Sequence, residues 1–185
     1  MRLTSPNLEI RPLAPGDVSA FCRLLSDPSV GGRLVGAFGP NGAIRFVSTL
    51  DAAEKSAMFR ERQAETIAGA PSRYAIGLRG GGDLIGSIGS YAIDEERIGL
   101  SYWIAAEHQG KGFGTEALRS YCGPALRLFR RQLMLANVET DNAASIRTLQ
   151  KAGFEAFDRS ASPGVKVPAG RIFLQIDRAA AAASA

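Results

Sequence analysis

Short stretches of the chain alternate apolar and polar residues, and a period of two is typical of β-strands. This pattern predicts a first strand over 8–13 ("LEIRPL"). Two strands are predicted over 73–78 and 84–93, around a glycine-rich turn, and a third over 98–105. Three further strands are predicted in the C-terminal half, over 131–139, 154–162 and 171–177. The strands therefore cluster in the middle and at the end of the chain.

Helical periodicity occupies the intervals between these strands. A first helix is predicted to begin at Asp17 and to be stopped by Pro28. Its apolar face consists of Val18, Phe21, Leu24 and Leu25. A second helix is predicted over 45–68, and its repeat positions are Phe46, Leu50, Ala53, Ala57 and Glu61.

Two more helices are predicted in the C-terminal half. One covers 115–129, and Pro124 is expected to kink or restart it because proline lacks a backbone N–H. The other covers 141–153, with Asp141 or Asn142 as the N-cap and Gly153 as the C-terminal stop.

The order of elements predicts a single α+β domain over residues 1–178. A mixed sheet would form its middle layer, with helices on both faces (α/β/α). The remaining residues, 179–185, predict a disordered tail. The glycine-rich segment 31–43 is predicted to be irregular, either an ordinary surface loop or a lid over a substrate.

Composition narrows the function only slightly. The net charge of +4 is spread along 185 residues, which fits a solvated surface or a local site for an anionic ligand. No basic run with interleaved aromatics is present, so DNA is not an expected partner. No leader and no apolar run of the ~18–20 residues that span a membrane is visible, so we expect a cytoplasmic protein. Cys22 and Cys122 are expected to be buried thiols, and no metal site is expected.

The strongest chemical signal is "HQGKGFGTEA" at 108–117, which lies between a predicted strand and a predicted helix. Glycine costs roughly 0.5–1 kcal/mol relative to alanine within regular structure, so Gly110, Gly112 and Gly114 need a reason. A helix N-terminus leaves four backbone N–H groups unpaired and carries about half a positive charge. Glycines let that backbone approach a ligand, which predicts a phosphate-type anion site with Lys111 at its rim.

The spacing of the glycines separates the kinds of phosphate loop. The G-x-x-x-x-G-K-[ST] pattern is absent, and the even spacing does not fit G-x-G-x-x-G, so an NAD or nucleotide site is disfavoured. The segment does fit Q-x-x-G-x-G, with Gln109, Gly112 and Gly114 at the defined positions.

That pattern resembles the pyrophosphate loop of the GNAT acetyltransferases, and four segments resemble the family in the family's order. "LEIRPLAPGDVSAFCRLLSDPSV" resembles the opening of the ribosomal-protein N-terminal acetyltransferase branch (RimJ/RimL-like). "LIGSIGSY", "LSYWIAAEHQGKGFGTEAL" and "VETDNAASIRTLQKAGFE" resemble its central strands, its acetyl-CoA loop and its next strand and helix. The resemblance implies the GNAT fold, with a mixed, mostly antiparallel sheet, and an acetyl-CoA-dependent N-acetyltransferase.

The resemblance also implies roles for individual residues. Backbone N–H groups of the loop would hold the CoA pyrophosphate, from Gln109, Gly110, Lys111, Gly112, Phe113, Gly114 and Thr115. The backbone of Trp103, Ile104 and Ala105 would run beside the pantetheine arm and polarise the thioester carbonyl. An N–H in that position is worth roughly 10²–10³ in rate. Asn142 would contact the pantetheine, and Ser145 would protonate the leaving thiolate.

Structural roles compete with these assignments. Asn142 could instead serve only as the cap of its helix, and Ser145 could be only a small packed residue. Lys111 could be an ordinary solvated side chain. At least one of Tyr102 and Trp103 is expected to be a core aromatic.

No general base is visible in the sequence. Many relatives carry a glutamate where this chain has Gly99, and many outside this branch carry a tyrosine acid where it has Leu149. His108 lies at the edge of the loop, at a position that varies in the family. The remaining candidates, without further support, are Glu9, Glu61, Glu95 and Glu96.

The missing base favours particular amines as acceptors. At pH ~7.5 an α-amine of pKa roughly 7.8 costs roughly 0.6 kcal/mol to deprotonate, whereas a lysine side chain costs roughly 4 kcal/mol. We therefore predict a peptide N-terminus or another low-pKa amine, such as an amino sugar, as the acceptor. It would attack directly in a ternary complex, because no suitable covalent nucleophile is present. A non-catalytic acyl-CoA sensor is the alternative.

The acceptor groove is predicted to involve residues 28–45 and 158–170. The acceptor itself is not identified by these segments, and both a monomer and a homodimer remain open.

Overall fold

The computed structural model describes residues 1–38, 44–69, 72–157 and 168–184. The strands are β1 Leu3–Thr4, β2 Leu8–Pro12, β3 Val35–Phe38, β4 Ile44–Phe46, β5 Arg73–Leu78, β6 Leu84–Ala92, β7 Arg97–Ile104, β8 Leu133–Glu139, β9 Glu155–Ala156 and β10 Arg171–Asp177. The helices are α1 Val18–Leu25, α2 Pro28–Gly31, α3 Ala52–Ile67, α4 Phe113–Leu128, α5 Ala143–Lys151 and α6 Arg178–Ala183.

Eight of the described strands form one sheet, in the order β1-β2-β5-β6-β7-β8-β10-β9. Every neighbouring pair in it is antiparallel except β7 and β8, which run parallel. The predicted α+β class with a mixed, mostly antiparallel sheet is therefore confirmed. The alternation of side chains along each strand divides the buried residues between the two faces of this sheet.

Helices cover both faces, as predicted. On one face α4, with α5 and α6 packed against it, covers a core that includes Ile98, Leu118 and Leu149. On the other face α1 and α3 cover a smaller core built around Phe21, Phe59 and Trp103. The ring centroids of Phe21 and Phe59 lie 5.2 Å apart in an edge-on arrangement, which is a favourable geometry for aromatic packing.

The parallel pair β7–β8 is short, and this shapes the centre of the sheet. Its register runs from Arg97↔Leu133 to Leu100↔Ala136 and then ends. Beyond that point β7 continues to pair with β6, and β8 with β10, but not with each other. A gap therefore opens between the C-terminal halves of β7 and β8.

The predicted second helix begins too early and has the wrong buried face. Residues 44–46 form β4, and α3 begins only after Asp51, whose side chain accepts a hydrogen bond from the N–H of Glu54 at 2.8 Å. Lys55 and Phe59 are the buried residues of α3. The predicted repeat positions that lie within α3 are exposed instead, namely Ala53, Ala57 and Glu61. The Asp51-x-x-Glu54 capping box was the signal that marks the true start.

The segment predicted to be irregular contains regular structure in its described part. Pro28 occupies the first turn of α2, where its missing N–H is not needed, so it begins a helix as well as following α1. Residues 35–38 then pair with 44–46 as an antiparallel hairpin. The rest of the predicted loop, 39–43, lies outside the described residues.

The C-terminal half departs from prediction in two places. Helix α4 continues through Pro124, so a restart of the helix at this proline, one of the two expected effects, does not occur. The prediction of a disordered tail is wrong for the described residues of that segment. Helix α6 forms there with Asp177 as its N-cap, and Ala181 is only 1% exposed. A Cβ on Gly123 of α4 would lie 3.2 Å from the Ala181 carbonyl oxygen, so this glycine lets α6 pack closely.

Both cysteines are free thiols, and Cys122 is buried in α4. Burial raises the pKa of the Cys122 thiol far above its usual value, which leaves it a poor nucleophile. Within the described ranges, no helix combines the length and the apolar character needed to cross a membrane.

Candidate active site

The glycine-rich loop connects the end of β7 to α4, and two of its glycines adopt a backbone that other residues avoid. Gly110 has φ 73° and Gly112 has φ 85°, both in the left-handed region. Gly112 is the N-cap of α4, and no side chain caps this helix. A Cβ on either glycine would meet no atom within 4 Å. The loop therefore presents the helix N-terminus to open space.

Gly114 has a different reason to be glycine. It lies in the first turn of α4, where a Cβ would come 3.1 Å from Cγ2 of Thr148 on α5. The third glycine thus allows α4 and α5 to approach each other beside the loop.

The other loop residues anchor the turn rather than point toward a common centre. Gln109 donates from Nε2 to the carbonyl oxygen of Ile104 at 2.9 Å, which fastens the loop to the end of β7. Its backbone N–H, predicted to hold the pyrophosphate, donates instead to the Ala106 carbonyl oxygen at 3.2 Å and is already used within the turn. His108 lies in a short 3₁₀ turn with its ring centroid 6.1 Å from that of Phe113. Its Nδ1 is shielded from solvent and has no hydrogen-bond partner. Lys111 is exposed.

The predicted backbone role of β7 can now be assigned to individual residues. The N–H of Ala105 donates to the carbonyl oxygen of Ile85 at 2.8 Å, so it points toward β6 and away from the gap. Hydrogen-bonding direction alternates along an antiparallel strand. Tyr102 and Ile104 therefore direct their backbone groups toward the gap, whereas Trp103 shares the direction of Ala105. Of the three predicted residues, only Ile104 has its N–H on the gap side.

The side chain of Trp103 belongs to the core, as the structural alternative proposed. It is 5% exposed, and its ring centroid lies 6.0 Å from that of Phe21. Tyr102, on the opposite face of β7, is only partly buried.

Tyr102 and Ser145 meet beside the gap, on the face of the sheet that carries α4 and α5. The Tyr102 hydroxyl lies 3.1 Å from Oγ of Ser145, and either can donate. Burial raises the pKa of Tyr102 above its usual value, against the opposing effect of its hydrogen bonds to Ser145 and Thr148. The phenol is therefore neutral near pH 7 and able to donate a proton. Sequence reasoning missed this partnership, although strand alternation places Tyr102 on the α5 side.

Asn142 acts as the N-cap of α5. Its Oδ1 accepts a hydrogen bond from the N–H of Ser145 at 3.1 Å. The capping interpretation is therefore correct for the oxygen of this amide. The cap also fixes the start of the helix that carries Ser145.

The opposite face of β7 explains Gly99. Tyr91 of β6 lies directly across from Gly99, and a Cβ on Gly99 would be 2.0 Å from Cζ of the Tyr91 ring. The phenol ring therefore fills the space in which a strand carboxylate would begin. Burial raises the pKa of Tyr91 above its usual value, although Arg171 and Arg73 act in the other direction.

The candidate glutamates are not gathered at the gap. Glu95 and Glu96 are exposed in the turn before β7, Glu61 is exposed on α3, and Glu9 pairs with Arg2 at 3.0 Å. An acid that the sequence did not single out, Glu139, ends β8 and forms ion pairs with Arg33 and Arg171.

No described residues form a group of three or more histidine, cysteine, aspartate or glutamate side chains able to hold a metal ion.

Comparison with known families identifies the family of this chain. The profile of the acetyltransferase (GNAT) domain matches residues 7–155, which include both faces of β7 and the glycine loop. The chain belongs to the GNAT acetyltransferase family. It is therefore an acyltransferase, and family membership disfavours the non-catalytic sensor.

Individual relatives are distant. The "Uncharacterized N-acetyltransferase p20" of Bacillus licheniformis is 24% identical over 155 residues, covering 83% of this chain and 82% of the relative. A GNAT-family acetyltransferase from Bacillus anthracis has a TM-score of 0.74 at 17% identity, with 97% and 99% of the two chains covered. Mycobacterium smegmatis RimJ, solved in complex with CoA-disulfide, has a TM-score of 0.70 at 17% identity, with 98% and 90% covered. These structures share the GNAT fold.

Proposed function

We propose that this GNAT enzyme transfers the acetyl group of acetyl-CoA to a primary amine by direct attack in a ternary complex. A peptide N-terminal α-amine or another low-pKa amine is the favoured acceptor, as in a RimJ/RimL-like enzyme. One observation carries the proposal: the uncapped N-terminus of α4 opens beside the gap between β7 and β8. The RimJ structure with a CoA-disulfide supports the same class of cosubstrate.

Acetyl-CoA fits this part of the chain. The open space at Gly110 and Gly112 would admit a pyrophosphate to the backbone N–H groups of residues 110–115. The gap-facing backbone of Tyr102 and Ile104 would hydrogen-bond the pantetheine arm, and Asn142 would contribute its amide nitrogen. When bound, acetyl-CoA supplies the activated acyl group.

Ser145 and Tyr102 form the acid of the proposed reaction. Ser145 Oγ would donate its proton to the thiolate sulfur as the thioester bond breaks. The Tyr102 hydroxyl, 3.1 Å away, would then donate to Ser145 and regain a proton from solvent, while the attacking amine gives up one proton to solvent, so that amide and thiol form with no net change in protons. A backbone N–H on the gap side of β7 would stabilise the negative charge on the thioester oxygen during attack.

The acceptor side argues for an amine that is already neutral. Tyr91 occupies the space beside Gly99, and its raised pKa keeps it protonated near neutral pH, so that almost no phenolate is present to accept a proton. Glu139 is held in ion pairs with two arginines. An α-amine of pKa ~7.8 is substantially neutral at physiological pH, so it needs little help, whereas a lysine amine does.

An acceptor screen tests the proposal. Acetyl-CoA would be incubated with peptides that carry a free N-terminus, a free lysine or both, and with small primary amines including amino sugars. Mass spectrometry would locate the acetyl group. We expect α-N-acetyl peptides or low-pKa amines as the best products, with kcat/KM rising up to pH ~8 and then levelling. Acetyl-lysine as the best product would contradict the acceptor assignment.

A further inference from the structure

Arg73 of β5 reaches β7 across the strand that lies between them. It extends from β5 across Gly89 of β6 and donates from Nη2 to Oγ of Ser101 on β7 at 2.8 Å. A Cβ on Gly89 would meet the β5 backbone first, at the Ser72 carbonyl oxygen and at Cα of Arg73, and then Cγ of Arg73 at 2.9 Å. Gly89 therefore allows β5 to approach closely, and it also leaves room for the arginine side chain to lie across the strand.

The guanidinium of Arg73 is short of partners. Its Nη1 is shielded from solvent and has no hydrogen-bond partner, and no carboxylate of the described residues forms an ion pair with it. Burial, with a smaller contribution from the charge of Arg62, lowers the pKa of Arg73 to about 10. It is still a cation at neutral pH. The residue as a whole is only partly buried, but leaving the shielded edge of a guanidinium without an anionic partner is costly.

Arg171 shows what a satisfied arginine on this face looks like. Its Nε donates to Oδ1 of Asn137 at 2.6 Å, and its Nη1 pairs with Glu139 at 3.4 Å. Arg171 is therefore occupied by protein groups, whereas Arg73 keeps one donor edge unused.

The position of this unused donor indicates which ligand could reach it. Ser101 is the first residue of β7 beyond the last β7–β8 pair, and it faces the same side as Gly99. The Arg73 guanidinium thus lies at the mouth of the gap, on the side opposite Tyr102 and Ser145. An acceptor whose amine enters the gap from this side would bring its neighbouring groups close to Arg73.

We propose that Arg73 binds a carboxylate on the acceptor, close to the reacting amine, and that the enzyme prefers peptides beginning with aspartate or glutamate. The inference rests on the proposed function, because it assumes an α-amine acceptor at the gap. A guanidinium offers two parallel N–H donors to a carboxylate, and such charge-assisted bonds are about twice as strong as neutral ones. The side chain of the first residue is the part of a peptide that lies near its α-amine.

The test uses four peptides that differ only in the first residue: aspartate, asparagine, glutamate or glutamine. Steady-state kinetics with saturating acetyl-CoA should give wild-type kcat/KM values ~10–100-fold higher for each acid than for its amide. In Arg73→Met this preference should fall to within ~3-fold, by loss of the acid peptides rather than gain of the amides. Arg62→Met is the matched control, since Arg62 is already paired with Glu65, and it should keep the preference.

The outcomes separate this inference from the proposed function. Equal wild-type rates for acid and amide peptides would overturn the role of Arg73 and leave α-amine acetylation intact. If none of these peptides is acetylated, the peptide acceptor of the proposed function fails, and calorimetric binding of the aspartyl and asparaginyl peptides to CoA-saturated enzyme still tests Arg73. If Arg73→Met does not fold, inhibition of the wild type by N-acetyl-aspartyl and N-acetyl-asparaginyl peptides replaces it. Stronger inhibition by the aspartyl product supports the proposal, and equal inhibition contradicts it.

Discussion

The two faces of β7 are built in different ways. On the α4–α5 face most of the groups available to a ligand belong to the main chain: an uncapped helix N-terminus, two left-handed glycines and gap-facing backbone groups. On the opposite face, side chains from neighbouring strands cross over glycines, as Arg73 does over Gly89 and Tyr91 over Gly99. The first face suits a ligand that is the same for a whole family of enzymes. The second suits an acceptor that differs from enzyme to enzyme, because one substitution changes its shape and charge.

The largest expected effect concerns the acid on the first face. Ser145→Ala and Tyr102→Phe should each lower kcat by roughly 100-fold, because the leaving thiolate loses its proton donor. The dissociation constant of acetyl-CoA should stay unchanged. Since the two hydroxyls act as a unit, the double variant should be little worse than either single one.

Ser120→Ala is the matched control for these variants, since it removes a hydroxyl that bonds only to the Glu116 carbonyl oxygen within α4. It should leave kcat unchanged. Multiplicative losses in the Tyr102→Phe/Ser145→Ala double variant would show that the two residues act separately.

The second effect concerns the loop. Gly112→Ala should weaken acetyl-CoA binding ~10–100-fold, because a strained left-handed alanine displaces N–H groups whose bonds to a charged ligand are worth about 1.5–3 kcal/mol each. Gly80→Ala provides the control, since Gly80 also has a positive φ (79°) and open space around it, but lies in the β5–β6 turn. Both variants should lose about 1–2 kcal/mol of stability. Only Gly112→Ala should lose affinity in a calorimetric titration, and equal affinities would contradict the loop assignment.

A third test places a carboxylate on the second face, at the position of Gly99. Gly99→Glu should destabilise the protein by about 1–3 kcal/mol, because the new side chain overlaps the Tyr91 ring. In a Tyr91→Ala background the same substitution should cost much less, which a double-mutant cycle of denaturant titrations would measure. Additive costs would mean that Tyr91 does not occupy the space of the missing glutamate.

The smallest effect separates two roles of Asn142. Asn142→Asp keeps an oxygen to cap α5, so stability should change by less than ~0.5 kcal/mol, whereas Asn142→Ala should lose about 1 kcal/mol. If the amide nitrogen contacts the pantetheine, both variants should bind acetyl-CoA a few-fold more weakly than the wild type. Unchanged affinity in both would leave Asn142 with the capping role alone.

Most of the first face could be predicted from the sequence, because its signals are local. The left-handed glycines Gly110 and Gly112 and the N-cap at Asn142 depend on backbone geometry within a few residues, whereas Gly114 is required by packing against Thr148 of α5. Ser145 came from resemblance, and its partner Tyr102 was missed because that contact joins a strand to a helix 43 residues later.

The second face could not be predicted in this way. Nothing local in the sequence shows that Tyr91 leans over Gly99 or that Arg73 crosses Gly89, because both depend on strand register. The α3 error has a related cause, since its weakly amphipathic sequence offers several faces, and tertiary packing selects the one with Lys55 and Phe59. The helical tail was missed because its burial depends on Gly123, far away in the chain.

A crystal structure of the enzyme with bound CoA tests the central claim most directly. The pyrophosphate is expected within hydrogen-bond distance of backbone N–H groups of residues 110–115. The pantetheine should follow Tyr102 and Ile104, with its sulfur on the Ser145 side of β7. A pyrophosphate bound elsewhere, or a pantetheine arm on the Tyr91 and Arg73 side, would contradict the division of cosubstrate and acceptor between the two faces.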